Sequence, residues 1–133
     1  MLLYSGPTIG NKRHKLFISF SCNCHCKCQN LFNQERVACV YTGDADLNKT
    51  KISSIFGGYW NQVGTIQIPH HGDIKAFNPN ELSSGNYFCP ISYGSNNSYG
   101  HPSTKVISEI LSYNSCPISI TENPVSIFIE IIK

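Results

Sequence analysis

Three short polar clusters carry the residue types that do metal or hydrolytic chemistry. They are Thr42-Gly43-Asp44-Ala45-Asp46, Pro69-His70-His71-Gly72-Asp73 and Asn97-Ser98-Tyr99-Gly100-His101-Pro102. A carboxylate and two or three imidazoles are the hard and borderline donors that zinc, manganese or iron takes. Glycines beside them let the backbone turn tightly around an ion. Singly, each cluster has an ordinary explanation. Gly-Asp is a common turn, a His-His pair is often a surface pair, and Gly-His-Pro can be a helix entry. All three in one chain, each behind an apolar run, are harder to explain by turns alone.

The elements that must position them follow from hydropathy patterning. Residues 37–42 (VACVYT) form a β-branched and aromatic run that ends at Gly43-Asp44 and predicts a buried strand. Residues 65–68 predict a second strand closed by Pro69, and residues 87–93 a third. A short helix is expected at 49–56, with Ile52, Ile55 and Phe56 on one face and Gly57-Gly58 as its stop. A helical turn is expected at 77–82. The clearest helix follows Ser103, with Val106, Ile107, Ile110 and Leu111 as its apolar stripe and Ser103 as its cap. At the C-terminus, residues 118–121 and 125–132 read as a hairpin around Asn123-Pro124. Strands alternating with helices predict an α/β layer arrangement, in which the strand ends share one sheet edge and the three clusters converge.

Composition sets the outer bounds. The chain has 133 residues, 41% hydrophobic and 14% charged, which excludes a disordered chain and suits one domain. Ten Lys+Arg against eight Asp+Glu, spread along the sequence, give none of the basic concentration of an extended nucleic-acid binder. No apolar run approaches the roughly 20 residues of a membrane helix. The opening MLLYSGP lacks the pattern of an export signal, and seven cysteines is an odd count. Both lead to the expectation of a cytoplasmic protein with reduced thiols.

The segments VYTGDADL, IQIPHHGD and ISYGSNNSYGHPSTKVISEIL resemble the C-terminal half of metallo-β-lactamase-fold hydrolases. The nearest branch is the hydrolase domain of the competence DNA-uptake proteins, with related phosphoesterases. The resemblance spans residues 37–133; residues 1–36 read as an N-terminal strand plus a Cys-rich hairpin or insertion. It implies one partial domain over 1–133, the C-terminal half of an αββα sandwich with a mixed sheet flanked by helices. By the same resemblance Asp44 is the metal-bridging aspartate, and His70 or His71 is the last metal-ligating histidine. The remaining histidine of that pair and His101 lie near the substrate and serve catalysis. Asp46 has no ligand role, and Asn97 and Tyr99 shape their loop. The implied cofactor is zinc, or manganese or iron, with two ions in the complete family fold. The implied chemistry is phosphoester or nucleic-acid hydrolysis by metal-activated water.

The family's principal motif, His-x-His-x-Asp-His, is absent from the sequence, as is the isolated ligand histidine that precedes Gly-Asp. His14 and His25, the two histidines upstream of the clusters, stand in no such context. Two or three donors fall short of the about four that zinc takes. The expectation is therefore a fragment with impaired or no activity alone, whose exposed half-sheet is covered by a missing N-terminal half or by another copy of the chain. The alternative is an inactive relative that serves as an interaction module.

A third possibility lies in Cys22, Cys24, Cys26 and Cys28, which alternate with Asn23, His25 and Lys27. They continue the period-two face begun by Leu16, Ile18 and Phe20, where cysteine acts as a small hydrophobe. Thiolates at this spacing also suit zinc or copper(I). In an extended strand, however, side chains on one face are about 7 Å apart, too far for four to share one ion without a turn.

Overall fold

The structure, a computed structural model, describes residues 1–7, 15–20 and 36–132. It is a mixed α/β arrangement with few helices. A five-stranded sheet has the order β1–β3–β4–β5–β6, formed by β1 (Leu3–Ser5), β3 (Ala38–Tyr41), β4 (Val63–Ile66), β5 (Phe88–Ser92) and β6 (Cys116–Ile120). β1 is antiparallel to β3, and the β3–β4, β4–β5 and β5–β6 pairs are all parallel. A separate two-stranded ribbon pairs β2 (Lys15–Phe20) with β7 (Ile127–Ile132).

Parallel strands covered on both faces read as continuous apolar runs, which is why β3, β4 and β5 were legible in the sequence. One face of the sheet (Ala38, Val40, Ile66, Cys89, Ile91) packs with Ile52, Val106 and Ile110 from the helical layer into the main core. On the other face Phe88, Cys116 and Ile118 form a smaller cluster, and the Phe128 ring of β7 lies over it, 5.8 Å from Phe88. The Thr65 hydroxyl donates to the Glu130 carboxylate across the same gap. A bare sheet face is thus not what the described residues show over β5 and β6. A cavity of about 360 Å³ remains beside the ribbon, with Cys39, Tyr41, Thr65, Pro90 and Glu130 among its walls.

Three elements differ from the sequence expectation. The helix expected at 49–56 shrinks to one turn, α1 (Ile52–Ile55), and the chain continues through Gly57–Gln62 as a 3₁₀ helix instead of stopping. Ile52 is buried, but Ile55 is 56% exposed, because one turn offers the core only one position. The start of α1 is held by the buried Glu81, whose carboxylate accepts from the Ser53 N–H at 2.9 Å. In α2 (Thr104–Ser112), Val106 and Ile110 are buried as expected, Leu111 is half-exposed, and the Ser103 side chain makes no cap bond. The predicted terminal hairpin does not form. After the turn at Asn123-Pro124, β7 leaves the sheet and pairs with β2, which lets Phe128 cover the Phe88 cluster. The Ser126 hydroxyl instead ties that corner, accepting from Thr121 N–H and donating to the Ser119 carbonyl.

Cys22, Cys24, Cys26, Cys28, His14 and His25 lie outside the described residues. Cys39, Cys89 and Cys116 are buried in β3, β5 and β6. Among the described residues no helix is long and apolar enough to cross a membrane.

Candidate functional site

β3, β4 and β5 are adjacent and parallel, so the chain leaves each of them at the same edge of the sheet. Leaving β3, the buried Thr42 hydroxyl donates to the Gln67 carbonyl at 2.7 Å. The Gln67 side-chain oxygen in turn accepts from Thr42 N–H and Gly43 N–H, at 3.2 and 3.4 Å. Gly43 turns in the left-handed region (φ 53°), and the next side chain, Asp44, is 82% exposed. Asp46 is engaged elsewhere. Its carboxylate pairs with Lys49 at 3.1 Å and accepts from Asn48 N–H, and these contacts, Lys49 first, hold its pKa below the ordinary carboxylate value. Asp46 therefore closes a turn.

After β4 the chain makes an unusual bend. His70, His71 and Gly72 are all left-handed, with φ of 47°, 56° and 82°. For the two histidines this conformation costs about 1–2 kcal/mol each. Glycine alone would relieve that cost, so strained histidines mark a position where the side chain matters. The bend turns the imidazoles in different directions. His70 N–H bonds to the Gly43 carbonyl, and its ring Nε2 lies 2.8 Å from the Asp44 carbonyl. His71 Nδ1 lies 2.6 Å from the Ser92 carbonyl at the end of β5.

A carbonyl only accepts, so each of these ring nitrogens carries the proton. In the neutral form of each ring the opposite nitrogen then carries a lone pair. For His70 that nitrogen is Nδ1, and it faces Asp44 Oδ1 at 3.8 Å. Two acceptors facing one another at this distance have room for a cation between them. Donors on a tetrahedral zinc with bonds of about 2.0–2.1 Å are about 3.3 Å apart. For His71 the lone pair falls on Nε2, which has no hydrogen bond among the described residues. Anchoring one imidazole nitrogen to a carbonyl is how ligating histidines are usually oriented.

The third loop is held by Asn97. Its amide donates to the Gly94 and His101 carbonyls (2.7 and 2.8 Å), and its side-chain oxygen accepts from His101 N–H at 2.9 Å. His101 Nδ1 is buried with no hydrogen-bond partner among the described residues, and the ring stacks on Tyr99 at 6.2 Å and 17°. The second and third loops meet at Gly72. Its carbonyl accepts from Ser103 N–H at 3.1 Å, and a Cβ built there would lie 2.7 Å from Pro102 Cβ.

The structure thus places Asp44 beside His70, His71 against β5, and His101 in the clamped loop. Sequence reasoning left open which histidine of the pair is the ligand, and His70 is the one that faces Asp44. It also missed Gln67 and the successive left-handed residues. Gln67 was detectable only as a polar residue between Ile66 and Ile68; a histidine in the left-handed region leaves no sequence signal. The fit to a metal is partial. Asp44 and His70 can hold one side of an ion, but no group of three histidine, cysteine, aspartate or glutamate side chains gathers among the described residues.

No family model matches this chain, and neither a curated protein nor a solved structure does.

Proposed function

We propose that this chain is a metal-dependent hydrolase of the metallo-β-lactamase type, acting on phosphoesters or nucleic acid. The supporting observation is the facing Asp44 and His70 pair at a sheet edge where three strand-end loops meet. In this reading Asp44 and His70 Nδ1 are metal ligands. The donors that complete the sphere come from outside the described residues. A bound zinc, manganese or iron ion would supply a water with its pKa lowered to about 7. His71, fixed through Nδ1, presents Nε2 as a further ligand or as a base. His101 donates from its ring to the oxygen that gains negative charge.

A second reading is an inactive relative kept as an interaction module, in which Asp44 and His70 face one another among the described residues without a third donor beside them. Hydrolysis of bis-p-nitrophenyl phosphate with added zinc or manganese separates the two. The hydrolase reading expects metal-stimulated turnover that falls to background in Asp44→Ala and His70→Ala. Turnover that is unaffected by both substitutions, or absent with every added metal, overturns it.

A further inference from the structure

After Met1, the most exposed large apolar side chain among those described is Tyr99, at 82%. It does not lie on a mobile-looking stretch of unbonded backbone. Asn97, two residues earlier, closes the loop with three hydrogen bonds, and the loop is joined through Ser103 N–H to Gly72. The Tyr99 ring lies nearly parallel to the imidazole of His101, its centroid 6.2 Å away, on the third of the loops that meet at the candidate site. An aromatic ring fixed in this way and turned to solvent contributes little to the fold. It is instead a stacking surface open to solvent, on a loop whose backbone Asn97 already holds.

We infer that Tyr99 is the specificity-determining residue of this site and takes the nucleobase of a nucleotidyl phosphoester on its ring. The inference rests on the hydrolase reading for the phosphoester beside it, and on the Tyr99–His101 stack for the base. Base–aromatic stacking is sequence-tolerant, since every base has a π-face. The chain's net charge is only +2, ten Lys+Arg against eight Asp+Glu, which is little with which to hold a long phosphate backbone. The ligand is accordingly a single nucleotide or an unpaired strand end, recognised locally, and not a duplex.

The test compares adenosine 5′-monophosphate with ribose 5-phosphate, which lacks the base, by NMR titration of the whole chain. Stacking of one base corresponds to about a 5- to 150-fold preference for the nucleotide. That preference is expected to disappear in Tyr99→Ala and to persist in Tyr99→Phe, with the Tyr99 ring protons shifting in the wild type. Equal binding of the two probes by the wild type, binding of neither, or a preference retained in Tyr99→Ala overturns the inference. Asp44→Ala distinguishes it from the hydrolase reading, because it should lose turnover while keeping the base preference. If turnover is absent in the wild type but the base preference follows Tyr99, the hydrolase reading fails and the stacking site stands.

Discussion

Replacing Gly72 by alanine separates the second loop from the third. The added Cβ would sit 2.7 Å from Pro102 Cβ, 3.1 Å from Ile91 Cγ2 and 3.1 Å from Pro102 Cα. None of these is the far end of a flexible chain, so backbone has to move. Forcing a methyl into such a space costs about 1–3 kcal/mol. Alanine at φ 82° adds about 1–2 kcal/mol of left-handed strain. The expected loss for Gly72→Ala is therefore about 2–5 kcal/mol. Gly57 supplies the control. It too has a positive φ (33°), but a Cβ there meets nothing within 4 Å. Gly57→Ala should cost only the backbone part, about 1–2 kcal/mol. Urea unfolding of both variants measures the difference, provided their m-values match the wild type. Equal losses in the two variants would show that the Gly72–Pro102 approach does not exist, and the joining of the two loops would fall with it.

Further outcomes follow from other contacts. Glu81→Ala leaves the Ser53 N–H without its carboxylate and should cost about 1.5–3 kcal/mol in urea unfolding, while Glu81→Gln, which keeps an acceptor, recovers most of it. The pKa of Asp46 is lowered by Lys49 and Asn48, and that of Glu122 by Ser95. The stabilisation of such depressed carboxylates is present above their ordinary value and lost as pH falls through the folded one. The unfolding midpoint should therefore drop on acidification below about pH 4, less steeply in Asp46→Asn. Burial, with Cys116 nearby, raises Cys89 well above the usual thiol value of 9.0. Its contribution is complete below that value and lost as pH rises past it. The midpoint should fall as pH rises above about 9, and Cys89→Ala should flatten that alkaline limb.

What the sequence made legible was decided by local patterning. β3, β5 and α2 have continuous β-branched runs or helical spacing, and they appear where residues 37–42, 87–93 and the segment after Ser103 place them. The clustering of the three polar motifs followed from parallel topology alone. What escaped depended on partners distant in sequence. The tail at Ile127–Ile132 is indistinguishable from a hairpin strand until β2, from the opposite end of the chain, is available to pair with it. Which histidine of the pair faces Asp44 turned on two carbonyls, Asp44 and Ser92, that belong to different strands' loops. One turn of α1 was too short for its spacing to fix which isoleucine would be buried.

The central claim is that Asp44 and His70 form one side of a metal site at the end of β3 and β4. Manganese(II) tests it most directly, being a hard ion that prefers oxygen and imidazole donors to the thiolates of the cysteine ladder. Paramagnetic broadening of the chain's NMR signals on manganese titration reports where the ion sits. The account predicts that signals of residues 43–45 and 70–72 broaden first, and that Asp44→Ala and His70→Ala abolish the effect. Broadening centred elsewhere, or unchanged in those two variants, would contradict it.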